Sequence, residues 1–160
     1  MVWLVLLITL IIVVPIAIVA SSMRNNLIAE GKIVNRAVDF AEKAEIFTMR
    51  RPADYSYITN GVMNFDYKDI KCSLSGDRAR QTYNFKGADW SANLWYVGET
   101  ADNVTYRFEF NNWSSRNGIP YSGIPMNKLE TAIEKLFLTL DPYTMVHTEP
   151  VQFKTKHSFF

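Results

Sequence analysis

The polar and apolar positions of this chain divide it into four stretches. From Val2 to Ala20 the sequence reads VWLVLLITLIIVVPIAIVA, and no charge appears before Arg24. A helix rises about 1.5 Å per residue, so such a run matches a hydrocarbon core of roughly 30 Å. Lipid offers no hydrogen-bond partners, and a helix satisfies its own backbone there. Residues 1–23 are therefore predicted to be a transmembrane helix. The run lacks a basic leader, and Ile18-Val19-Ala20 makes a poor cleavage site; a retained signal-anchor is expected rather than a cleaved peptide. Beyond Arg24, the residues Ile33, Ala37, Phe40, Ala44 and Phe47 recur at 4, 3, 4 and 3 residues. That spacing predicts an amphipathic stalk helix over 24–51, ended by Arg51-Pro52.

A small domain is predicted over 52–160. Asp54 caps a short helix carrying Ile58 and Val62, although Asn60-Gly61 weakens it. Period-two alternation then marks four strands, near 70–74, 80–86, 90–97 and 104–111, separated by Ser75-Gly76-Asp77, Gly87-Ala88-Asp89 and the 98–103 loop. Val104, Tyr106, Phe108 and Phe110 share one face, opposite Thr105, Arg107, Glu109 and Asn111. After a loop over 112–124, Asn127-Lys-Leu-Glu130 resembles a capping box. It would open a helix with Leu129, Ile133, Leu136 and Leu140 on its apolar face, closed by Asp141-Pro142. A last short strand is placed at 151–153. The fold class is α+β: a membrane helix, a stalk helix, and a four-stranded antiparallel meander packed on a C-terminal helix.

Composition changes this picture little. Ten Phe, eight Tyr and four Trp can fill a core, which excludes a disordered chain. One cysteine excludes a disulfide scaffold. A net charge of +1 provides no field for nucleic acid, and no nucleic-acid partner is expected. Metal ligands are restricted to Cys72, His147, His157 and scattered carboxylates, without CxxC or HxxxH spacing, so neither a metal nor a cofactor is expected. Cys72 shares a strand face with Ile70 and Leu74, which makes it a small buried hydrophobe rather than a nucleophile. Asp66 and Asp69 lie in a polar connection, where solvated charge explains them better than acid–base chemistry.

Trp95 lies opposite the predicted core face, and Trp113 and Tyr121 sit in the following loop. These three are the candidate partner surface. The expected function is a single-pass, non-catalytic module that binds another protein or a second copy of itself, with the bilayer as partner for residues 1–23. Arg24, Lys32, Arg36 and Lys43 flank the apolar run on its C-terminal side, which places the domain in the cytoplasm by the positive-inside rule. The sequons Asn103-Val-Thr105 and Asn112-Trp-Ser114 point the other way. A pilin-like filament subunit and a tethered small-ligand domain, with its pocket between sheet and C-terminal helix, are the alternatives.

Asn25-Asn-Leu-Ile-Ala-Glu-Gly-Lys-Ile-Val34-Asn-Arg-Ala37-Val38 resembles the N-terminal signature of the LemA family, with Val38 where that family carries an aromatic. That family continues as a helical bundle, whereas this chain turns to β pattern. The plan of apolar helix, amphipathic continuation and meander is similar to type IV pilins, but Val5 stands where those have an early Glu.

Overall fold

The computed structural model describes residues 2–152 and 155–158, with side chains over 13–152. It divides into two units, Met1–Asn35 and Arg36–Phe160. The first is a 28-residue helix, α1 (Val2–Ala29), and a short tail. Most of the predicted membrane run lies on residues 1–12, whose side chains are outside the described ones. Among the described residues, no helix is long and apolar enough to cross a membrane.

The stalk helix predicted over 24–51 is not formed. Gly31, at φ +67°, stops α1 in a Schellman arrangement: Lys32 N–H donates to Leu27 C=O at 2.8 Å and Gly31 N–H to Ile28 C=O at 2.9 Å. Only a single 3-10 turn follows, at Phe40–Glu42, before strand β1 (Lys43–Arg50). The misreading has a physical cause. β1 lies inside the sheet and is buried on both faces, so it has no period-two signature, and its apolar residues matched a helical spacing by coincidence. Phe47 and Met49 face the core, while Ala44 and Ile46 point the other way.

Asp54 caps α2 (Tyr55–Met63) as predicted, accepting from Tyr57 N–H at 2.9 Å. Gly61 fits this helix because α4 packs on it; a Cβ there would come within 2.2 Å of Leu136 Cδ1. A further turn, α3 (Tyr67–Ile70), takes up Ile70, so the first predicted strand shifts to β2 (Ser73–Asp77), which includes the Ser75-Gly76-Asp77 predicted as a turn; β3 (Thr82–Lys86), β4 (Trp90–Glu99) and β5 (Asn103–Arg116) follow near their predicted places. They form the expected antiparallel meander, extended into an eight-stranded sheet ordered β2-β3-β4-β5-β1-β7. Strand β7 (Met145–Pro150) is one edge; β6 (Ile119–Pro120) and the parallel β8 (Thr155–Ser158) both pair with β5. The strand predicted at 151–153 is therefore displaced, with residue 153 outside the described ones.

Helix α4 (Gly123–Leu140) starts four residues before the predicted capping box. Pro125 is tolerated in its first turn, where the N–H has no intrahelical partner. Asn127 and Glu130 are buried one turn in and face Arg36 instead of the helix's own amides. Of the predicted apolar face, Leu129 and Ile133 are buried and Leu136 and Leu140 partly so; the deepest contact comes from Phe137, not predicted, which stacks on Phe47 with ring centroids 4.5 Å apart.

Candidate functional site

The sheet of the Arg36–Phe160 unit has two unlike faces. Helices α2 and α4 bury their apolar sides against the first, with Phe47, Tyr83, Phe85, Tyr106 and Phe108 beneath them. The second face, termed the back face, is polar. One cross-strand row on it runs Asp77, Thr82, Trp95, Arg107, Ile46 and His147 from edge to edge. The next contains Ser75, Asn84, Asn93 and Glu109. Among the described residues of this unit, only the C-terminal segment around Pro150–Gln152 crosses this face, over Arg107 and Glu109.

The three aromatic residues predicted as a partner surface are not brought together. Trp95 is half-buried on the back face, as its alternation required. Tyr121 is 57% exposed in the connection between β6 and α4. Trp113, only 1% exposed, belongs to the core. A β-bulge explains Trp113: Ser91 pairs with Asn112 and Ala92 with Phe110, which leaves Asn111 as an extra residue in β5. Without it Trp113 would fall on the back face; with it Trp113 lies opposite Trp90 and joins the Phe110 side.

The same bulge shapes a depression of about 440 Å³ on the back face, between the β3–β4 turn and β5. Its floor contains Asn84, Asn93, Asn111 and Asn112, with Ser75 and Ser91 beside them. Ser91 donates its hydroxyl to Asn111 Oδ1 at 2.6 Å. Asn112 Oδ1 is buried without a hydrogen-bond partner among the described residues. One wall is set by Gly87, which lies so close to the Trp90 indole that a Cβ would come within 2.2 Å of the ring. Asp89, on the same turn, is held by the Ser122 hydroxyl. Sequence reading passed over this group, although a signal existed: Asn is depleted in strands, yet strand positions here carry it repeatedly on one side.

Beside the depression lies a buried ionic network. Arg107 is 4% exposed and Glu109 1%. Arg107 Nε donates to Glu109 Oε2 at 3.0 Å, Nη1 to Glu149 at 2.6 Å, and Nη2 to the Pro150 carbonyl at 2.9 Å. Its guanidinium also lies 5.9 Å from the centroid of the Trp95 ring. Alternation alone marked Arg107 as a solvent-facing position; the returning C-terminal segment buries it. Arg107→Ser should accordingly cost about 3 kcal/mol, because Glu109 would be left buried without its hydrogen-bonding cation. Urea titration checks this. A cost near that of an ordinary surface change, about 0.5 kcal/mol, would show that the segment does not close over the pair.

A second buried network sits on the helical face. Arg36 reaches Glu130 at 3.0 Å, Glu45 at 3.2 Å and Glu134 at 2.6 Å, and donates to Asn127 and Thr131 at 3.0 and 2.8 Å. Burial holds the Glu45 and Glu130 carboxyls above the ordinary glutamate range, and the Glu45 charge adds to the shift at Glu130. One guanidinium thus bridges three glutamate carboxyls drawn from β1 and α4, one positive charge among three acidic groups.

The remaining candidates take structural roles. Cys72 packs against the core, and burial pushes its thiol up to about 11, away from the thiolate that nucleophilic chemistry needs. It precedes β2 at one sheet edge, whereas His147 lies on β7 at the other; the side chain of His157 is outside the described ones. Asp66 caps α3 through Lys68 N–H, and Asp69 pairs with Lys128 at 3.0 Å. Among the described residues, no group of three or more His, Cys, Asp or Glu could hold a metal ion.

No family model, curated protein or solved structure matches the chain.

Proposed function

We propose that the protein is a single-pass membrane-anchored recognition module without catalytic activity, and that it meets its partner on the back face of its sheet. The observation that carries this reading is the asymmetry of the sheet: one face is filled by helices, and the other, which the C-terminal segment covers over Arg107 and Glu109, keeps a polar surface with Trp95 and a depression over β3, β4 and the adjoining part of β5. Faces that serve only solubility carry dispersed Lys and Glu, whereas this one gathers amides and hydroxyls around a concavity. The anchor is supported by the charge-free run from Val2 to Ala20 within the continuous helix Val2–Ala29.

Basic residues on the C-terminal side of that run favour a cytoplasmic domain. Asn112, held between β4 and β8, is poorly placed to carry a glycan. The filament reading loses support, because a strand replaces the stalk helix and α4 is the helix that lies across the sheet.

The test uses the full chain in its host membrane. It should sediment with membranes and resist carbonate extraction, and a photo-crosslinking side chain at Asn93 should form adducts that one at Tyr57 on the opposite face does not. Recovery of most of the chain in the soluble fraction would remove the anchor. Equal adducts at both positions would remove the back face as the site.

A further inference from the structure

The depression on the back face rests on a local contradiction. Asn is a poor strand residue, yet Asn84, Asn93, Asn111 and Asn112 occupy strands β3, β4 and β5 around one concavity. Sequences that break local preference in one place do so where function sets the residue. The bulge at Asn111 adds a second departure, of the kind that re-aims side chains beside binding sites. A third is the buried Oδ1 of Asn112, an acceptor with no hydrogen-bond partner among the described residues.

The chemistry of the lining narrows what fits. Each side-chain amide offers two donors and an acceptor, and each serine hydroxyl both donates and accepts. Among the lining residues, Lys86 and Asp89 are the charged ones, and their charges cancel. Such a surface has nothing to favour a phosphate, a carboxylate or an ammonium, which call for clustered charge or bidentate arginine. It suits a neutral ligand whose groups each donate and accept, in several directions over a small area. A volume of about 440 Å³ is within the range of small-ligand sites. We propose that this depression binds a neutral saccharide through the side-chain amides of Asn84, Asn93, Asn111 and Asn112 and the hydroxyls of Ser75 and Ser91. The inference rests on the recognition reading above and names the ligand class of that site.

The test is an NMR titration of the full chain, with asparagine side-chain amides labelled with ¹⁵N, in micelles of lauryldimethylamine oxide, since sugar-headed detergents would occupy the site. The probes are maltose, cellobiose, lactose and chitobiose, each to about 20 mM, which covers millimolar dissociation constants. Saturable shifts of the Asn84, Asn93 and Asn111 amides with at least one probe are expected. In the Asn84→Ala/Asn93→Ala double variant that affinity should fall about tenfold, the loss of two neutral hydrogen bonds. Tyr57→Ala, on the opposite face, should leave it unchanged. Because the two asparagines are not core residues, the double variant should keep the parent's urea midpoint. Ser91→Ala provides an independent variant with the same expected direction.

No saturable shift with any of the four overturns the proposal, as does a shift with inorganic phosphate in their place. Protein adducts at Asn93 without sugar-induced shifts would overturn the saccharide while leaving the recognition reading intact. Sugar-induced shifts in a chain recovered from the soluble fraction would do the reverse to the anchor.

Discussion

A fragment beginning at Lys32 should unfold cooperatively in urea, whereas one beginning at Pro52 should show no cooperative transition at all. The sequence pattern alone puts the domain boundary at Pro52, because residues 24–51 read as a stalk. In the folded chain, β1 is an inner strand, paired with β5 from Glu45↔Phe108 to Arg50↔Asn103 and with β7 from Lys43↔Pro150 to Thr48↔Met145. Cutting at Pro52 removes Ile46, Phe47 and Met49 from burial, worth about 1.5–3 kcal/mol each. It also removes Arg36 from among Glu45, Glu130 and Glu134, and detaches β7 from the sheet. Domains are stable by only about 5–15 kcal/mol, so these losses exceed what the remainder can bear. Near-ultraviolet circular dichroism followed through a urea titration decides the matter. A cooperative, native-like transition in the shorter fragment would mean that β1 is dispensable.

Arg36→Met should be the most damaging single substitution in the unit, costing about 3–5 kcal/mol at neutral pH by leaving buried carboxylates without their cation. The loss should depend on pH with a definite sign. Burial raises the folded-state pKa values of Glu45 and Glu130 above the ordinary glutamate value of 4.5. The folded chain therefore holds protons that the unfolded chain has released, and the stability contributed by these groups is full below about pH 4.5 and lost as the pH climbs through the folded values. Arg36→Met should accordingly be less harmful at about pH 4 than at about pH 8. Glu130→Gln, which keeps a polar side chain but carries no charge, should be more stable than the parent at the upper end and should flatten the decline. Urea midpoints of the three proteins across that range test this. A cost of Arg36→Met that grows as the pH falls would contradict the cluster. Asp141 acts in the opposite sense: hydrogen bonds from Arg50 and from backbone N–H groups hold its carboxyl well below the ordinary range, and its contribution is lost in acid.

Much of the sheet was legible because the strands of the meander are half-buried, and half-burial imprints a period of two. Val104 to Phe110 shows the pattern most clearly, and its register confirms which side faces the helices. β1 was illegible for the converse reason, since burial on both faces leaves no alternation to read. Asn127 and Glu130 carried a local capping signature, but a cation 91 and 94 residues away in sequence claimed both side chains. Trp113 could not be placed without knowing that Asn111 is an extra residue, which depends on the partner strand. The depression was hidden by its ordinariness: each Asn is a plausible polar residue alone, and only pairing across β3, β4 and β5 gathers them.

The position of β1 also imposes an order on assembly. Its neighbours in the sheet are β5, which begins about 50 residues later, and β7, which ends at Pro150. On a ribosome, the first strand of the domain must wait, unpaired, until β5 has been made, and its other edge stays open until β7 follows. Pairings this distant in sequence form slowly, and until they form an apolar strand and an open ladder edge are both available to strangers. The helix Val2–Ala29, by contrast, needs nothing downstream and is complete from the start. That helix can therefore be formed while the domain is still open, and closure of the sheet waits on β5 and β7.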